Sequence, residues 1–176
     1  CGACAWMLRA WISPGWALLG GLLLAVHPQL TVMWGTWLWG GAAAMTGGAL
    51  LYGAVPRLVR EPSARDSVWL GLGVGILALS RPYEGAVACI PAGLYLAHGL
   101  LRAGAPPRAG ALRRAIAPAA IVLTAFAVFL ATYNTRTTGS PVTLTYSLYD
   151  ATYAAVPALI PLPPYESKTY NHAVLA

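Results

Sequence analysis

Charge is what this sequence has least of. Only 9% of its 176 residues are Asp, Glu, Lys or Arg, against roughly 25% in an ordinary soluble domain. A chain so short of ionic side chains lacks the surface chemistry that keeps a globular protein dissolved. Disorder is excluded from the other side, because 58% of the residues are hydrophobic and disordered segments combine low hydrophobicity with high net charge. Cysteine is scarce too. Cys1 and Cys4 make a lone C-x-x-C with no second pair, which argues against a zinc site, and Cys89 falls in an apolar run as a small core residue. His27, His98 and His172 are too scattered for metal-ligand spacing. The sequence opens on Cys1, inside an apolar stretch and without an initiator methionine, so a fragment of a longer protein is expected.

What is present is apolar sequence, with a mean hydropathy of +0.62, broken by short polar gaps. That pattern predicts an all-α, polytopic transmembrane helix bundle. About five spans follow a partial N-terminal helix, at residues 16–32, 42–56, 67–80, 84–101 and 115–133. Residues 1–133 then form the transmembrane region, and residues 134–176 a short, irregular extracytoplasmic segment. Several runs fall below the roughly 20 residues of a perpendicular span. The shortest, Val68 to Leu79, reads as a half-span bending at Pro82, tolerable where neighbouring helices cover it. Trp34, Trp37 and Trp39 mark an interface. Gly71, Gly73 and Gly75 resemble a nucleotide loop only superficially, and read as a helix-packing surface.

The net charge of +6 would suggest a nucleic-acid partner in a soluble protein, and here it does not. Alternating the spans puts Arg9, Arg57, Arg60, Arg65, Arg102, Arg108, Arg113 and Arg114 on one side, leaving Arg81, Arg136 and Lys168 on the other. The positive-inside rule assigns the first group to the cytoplasm. The surrounding partner is therefore membrane lipid.

Arg81 and Glu84 are the only charges between Val68 and Leu101. Charge within a membrane helix costs at least about 2.5–3.5 kcal/mol, so its presence asks for a reason. Three residues apart, the two share a helix face and can pair. Pro82 suits a first helical turn, Ser80 is placed to cap it, and Tyr83 lies between the two charges. A helix N-terminus beside a guanidinium attracts phosphate; the plainer account is an ion pair that pins a turn at the interface, and the two are compatible. In the tail, Val142 to Tyr146 alternates like a short strand. Tyr146, Tyr149, Asp150 and Tyr153 follow at near-helical spacing, either as a cleft for a sugar ring or as interface anchors.

Several segments together resemble a known group: Trp37-Leu38-Trp39-Gly40-Gly41-Ala42, Gly47-Gly48-Ala49-Leu50, Gly53-Ala54-Val55-Pro56-Arg57-Leu58, Ser80-Arg81-Pro82-Tyr83-Glu84-Gly85, and Asn134-Thr135-Arg136 through Gly139-Ser140-Pro141 to Tyr146. They are similar to bacterial polytopic glycosyltransferase-like proteins of the GT-C type, over about Trp34 to Tyr153. The resemblance implies a multi-pass protein of the bacterial inner membrane that transfers a sugar from a polyprenyl-phosphate donor on the extracytoplasmic face. It implies a donor site that includes Arg81, Glu84, Tyr83, Arg136 and Tyr146. No cofactor is expected, and a divalent metal is left open. The family's catalytic carboxylate normally lies in the first external loop; none of the five acids here matches that motif, so the base is expected upstream and the chain alone is expected to be inactive. Two alternatives stand beside it. A transporter or permease would show internal repeats and helices broken at the bilayer midplane, and no repeat is evident. A non-catalytic membrane scaffold would need only the glycine-rich faces.

Overall fold

Proline placement explains where the helices stop. A residue before proline is pushed out of the helical region by the following ring. His27 (φ −73°, ψ 109°), Glu61 (φ −148°, ψ 105°) and Arg81 (φ −147°, ψ 77°) precede Pro28, Pro62 and Pro82, and each ends a helix. In the computed structural model, residues 1–28, 30, 32–33, 40–102, 109–145 and 147–149 are described. Their regular structure is entirely helical: α1 Gly2–Leu8, α2 Pro14–Val26, α3 Gly41–Arg60, α4 Ala64–Ser80, α5 Pro82–Arg102 and α6 Ala109–Thr138. The expected all-α class is thus observed. The run at 16–32 is not one helix, because Pro28 interrupts it after Val26.

The chain divides into two compact units, Cys1–Phe126 and Ala127–Ala176. In the first, α3 and α4 make the principal contact, with α1, α2, α5 and the start of α6 around them. The core is Leu51, Val55, Leu77 and Ala92, with Tyr52, Val74 and Leu96 packed against it. Small residues allow the close approach. A Cβ on Gly73 would lie 2.6 Å from the Leu51 backbone nitrogen and 2.8 Å from the Gly47 carbonyl oxygen of α3. Gly71 and Gly75 meet α6 instead, at Ala119 and Phe126. At about 3.6 residues per turn, positions 71 and 75 share one face of α4 and 73 takes the opposite one. The alternate glycines therefore let α4 be gripped from two sides, as the packing account of this run expects.

Three prolines lie inside helices: Pro56 in α3, Pro91 in α5 and Pro118 in α6. Each removes a backbone donor from its helix; at Pro56 a neighbouring element supplies the missing donor, and beside Pro91 and Pro118 a neighbouring element bonds a backbone group one position away. Pro56 cannot donate to the Tyr52 carbonyl four residues back; the Trp11 indole Nε1 does so instead, at 2.9 Å. The Tyr52 hydroxyl donates to the Ala88 carbonyl, at 2.9 Å, in the turn that Pro91 interrupts. Ala119, next to Pro118, donates its N–H to the buried Ser67 Oγ, at 2.9 Å. Refilling freed backbone groups from adjacent helices is how membrane helices accommodate proline.

Among the described residues one helix, Arg113–Thr138, is long and apolar enough to cross a membrane, and only 11% of its apolar window is buried. That supports membrane association in the coarse sense. The second unit holds the end of α6, which continues past the expected boundary at residue 134 as far as Thr138. Gly139, at φ +79°, ends it by donating to the Thr135 carbonyl, at 3.1 Å, a left-handed cap that glycine adopts without strain. The strand expected at 142–146 is absent over its described positions. Val142 is in a bend, Thr145 is helical, and Leu148 donates to the Leu144 carbonyl in a helical turn. A two-residue alternation this short has no strand to pair with among the described residues, and local helical bonding wins.

Candidate functional site

The first unit has two chemically distinct ends. Arg60 of α3 bonds the Ala10 carbonyl just after α1. Val59 near the end of α3 abuts Gly99 near the end of α5, and Ser67 in the first turns of α4 meets Ala119 of α6. These contacts gather Arg9, Arg57, Arg60, Arg65, Arg102, Arg113 and Arg114 at one end; Arg108 lies outside the described residues. Gly40, before α3, abuts Ser80 at the end of α4, so the turn from Arg81 to Glu84 occupies the other end. Within the first unit, Arg81 is thus set apart from the other seven described arginines; Arg136 belongs to the second unit, and Lys168 lies outside the described residues.

At the second end α5 opens directly on Pro82, with Glu84 in its first turn. Gly85 donates its N–H to the Arg81 carbonyl, at 2.7 Å. The Arg81 Nη1 contacts Glu84 Oε1 at 3.0 Å, with the two side chains 38% and 63% exposed. Tyr83, 39% exposed, is the residue between. Ser80 does not cap α5 as expected: its hydroxyl donates to the Ile76 carbonyl, at 2.8 Å, within α4. It is still the last residue of α4, one residue too early to act as an N-cap. The arrangement offers an accessible guanidinium, oriented by a carboxylate, beside the N-terminal dipole of a 21-residue helix, and this is suited to holding a phosphate oxygen. Arg136 lies exposed in the last turn of α6, in the second unit. Tyr146 lies outside the described residues, as do Asp150 and Tyr153. No group of three or more His, Cys, Asp or Glu that could hold a metal occurs among the described residues.

The basic end contains residues that spacing alone did not single out. Arg57 places its guanidinium 4.0 Å above the Trp6 ring, donates to the Trp6 carbonyl at 2.8 Å, and donates to the Gly53 carbonyl on its own helix. Burial lowers the Arg57 pKa from its usual value; Asp66 opposes this, and Arg60, Arg9 and Arg65 add to it. Trp6 also meets Trp69, with ring centroids 6.0 Å apart. Trp11 sets its edge against Tyr95 at 5.3 Å. The Trp69 Nε1 is buried and has no hydrogen-bond partner among the described residues. The available signal was the recurrence of Trp near Arg, but nothing local joins Trp6 to Arg57, fifty-one residues away.

No family model matches the sequence, and neither the curated proteins nor the solved structures include one that matches it.

Proposed function

We propose that this chain is the helical part of an integral membrane glycosyltransferase, one that moves a sugar from a polyprenyl-phosphate donor on the extracytoplasmic face. The observation that carries it is the Arg81–Glu84 pair at the mouth of α5, at the end of the first unit opposite the gathered arginines. Arg81 is the phosphate-contact residue, Glu84 positions it, and Tyr83 offers a ring and hydroxyl to the sugar. Arg136 and Tyr146 are further donor-binding candidates. In the transfer, the bond from the anomeric carbon to the donor phosphate breaks as a bond to the acceptor oxygen forms. The acceptor proton passes to a carboxylate base, and the polyprenyl phosphate leaves with its charge held by Arg81.

A multi-pass arrangement in the bacterial inner membrane belongs to the same proposal. Helices α3, α4 and α5 have 20, 17 and 21 residues, so they are roughly 25–32 Å long at about 1.5 Å per residue. That suits a hydrocarbon layer of roughly 30 Å. Large apolar side chains face outward on three helices: Trp16, Leu22 and Val26 on α2, Val87, Ile90 and Leu94 on α5, Ile121 and Val128 on α6. In water such faces would be liabilities; against lipid they are the required surface. The Tyr52 carbonyl freed by Pro56 and refilled by Trp11 supports the same environment.

The deciding experiment uses membranes carrying the native protein and follows release of polyprenyl phosphate from a polyprenyl-phosphate sugar. Arg81→Ala is expected to abolish release while membrane insertion is unchanged. Wild-type release in that variant would remove the site assignment. Wild-type biological function in an Arg81/Glu84 charge swap would favour a scaffold.

A further inference from the structure

We propose that the basic end of the first unit is a binding site for the phosphate of an anionic phospholipid, formed by Arg9 and Arg65 with Arg60 beside them. It lies at the opposite end of the unit from Arg81 and owes nothing to glycosyl transfer; it rests only on the membrane setting proposed above.

The arginines at this end divide by what holds them. Arg57 is tied to the Trp6 and Gly53 carbonyls and lies over the Trp6 ring. Arg60 uses one terminal nitrogen on the Ala10 carbonyl, at 2.6 Å, and is otherwise exposed. Arg9 and Arg65 are exposed, and their side chains have no ion-pair or hydrogen-bond partner among the described residues. All three stand within electrostatic reach of Arg57, with Asp66 the carboxylate that acts on the same group. Asp66 is itself engaged: it accepts the Ser63 hydroxyl at 2.7 Å while its backbone N–H returns to the Ser63 oxygen at 3.1 Å. Positive charge therefore remains in excess, and the two least committed guanidiniums are those at the surface.

Aromatic residues decide between a lipid and a soluble anion. Aromatic rings accompany these arginines: Trp6 lies under the Arg57 guanidinium and meets Trp69, and Trp11, next to the Ala10 whose carbonyl takes Arg60, meets Tyr95. Amphipathic rings gather at the headgroup level of a bilayer, and arginines just beyond such a belt are at the depth of the lipid phosphates. Guanidinium matches phosphate oxygens in a bidentate way, and basic surfaces on the cytoplasmic side of membrane helices attract anionic headgroups.

The test reconstitutes the chain in phosphatidylcholine nanodiscs with or without phosphatidylglycerol and counts retained lipids by native mass spectrometry. Phosphatidylglycerol is expected to be retained selectively. Each arginine lost should weaken retention about fivefold, so Arg9→Gln with Arg65→Gln should weaken it about 25-fold. Neither the Arg9 nor the Arg65 side chain has a hydrogen bond among the described residues, so the double variant is expected to keep its helical circular dichroism. Equal retention by wild type and double variant would overturn the proposal. So would equal retention of both lipids, or displacement of phosphatidylglycerol by millimolar sodium phosphate, which would assign the site to a soluble anion. A chain that does not enter nanodiscs would overturn the membrane setting and this site together; entry without headgroup selection would overturn this site alone.

Discussion

The two ends of the first unit use arginine in opposite ways. At the basic end, Arg57 and Arg60 reach carbonyl oxygens of Trp6 and Ala10, about fifty residues earlier in the chain, and hold the α1 segment onto α3. At the other end the Arg81 ion pair is local, formed with Glu84 one helical turn along, and both side chains are substantially exposed. A guanidinium that caps distant carbonyls in a half-buried site belongs to the fold. The Arg81–Glu84 pair itself, three residues apart and at the surface, adds little to the fold. Charge in an apolar chain is thus informative only once its partners are known.

Both ends depend on the α3–α4 contact between them, and breaking it should have the largest effect. Gly73→Ala puts a methyl 2.6 Å from the Leu51 nitrogen and 2.8 Å from the Gly47 oxygen. Both are backbone atoms of a helix and cannot rotate aside. The expected loss is about 3 kcal/mol, the upper part of the range for overpacking, read as a fall in the midpoint of thermal unfolding in detergent. Gly93→Ala is the control: nothing lies within 4 Å of its added Cβ, so helix propensity alone should make it neutral or slightly stabilising. Equal midpoints for the two variants would mean that the helices do not cross at Gly73.

Next comes Arg57→Ala, which removes two hydrogen bonds from a charged donor and the contact with Trp6. Hydrogen bonds to charged groups are worth about 1.5–3 kcal/mol, and a loss near 2 kcal/mol is expected in the same assay. Limited proteolysis should also show the α1 segment cleaved earlier than in wild type. A variant as stable as wild type, with α1 still protected, would return Arg57 to the role of a topology charge.

Trp11→Phe tests the proline repair. It keeps a ring for Tyr95 but leaves the Tyr52 carbonyl without the donor that stands in for Pro56. The expected cost is about 1 kcal/mol. In a Pro56→Ala background the helix supplies its own N–H to that carbonyl, so the same substitution should cost only a few tenths of a kcal/mol, the remainder appearing as coupling in a double-mutant cycle. Additive costs would show that Trp11 acts through packing rather than through its indole N–H.

Much of the fold could be read from the chain, and the successes share a physical basis. Helix ends follow from pre-proline residues and apolar run length, both local properties. The Arg81–Glu84 pair follows from its three-residue spacing. The failures are also physical. The alternating tail suggested a strand because two-residue periodicity says nothing about whether a pairing partner exists. Ser80 looked like a cap because a serine two residues before proline comes close to the pattern, yet its hydroxyl found a carbonyl in the preceding turn. The docking of α1 was hidden because Trp6, Trp11, Arg57 and Arg60 act across a long stretch of chain. A count of basic residues by side treats every arginine alike, so it cannot separate those that cap carbonyls from those that face out.

The smallest effect on stability should come from Arg81→Ala, and that smallness is its value. An ion pair with this exposure contributes at most about 0.5 kcal/mol after screening and side-chain ordering. The helix on which it sits is fixed by other means: Pro82 sets the backbone at its start, and Gly85 packs against Leu77 of α4. The unfolding midpoint should therefore barely move, and should not respond to salt differently from wild type. Arg57→Ala, by contrast, should fall well below it under both conditions. If Arg81→Ala proved as destabilising as Arg57→Ala, Arg81 would be a structural residue and a loss of transfer in that variant would say nothing about phosphate. A stable variant without transfer would leave a functional role at the α5 mouth as the reason this apolar chain carries a charge there.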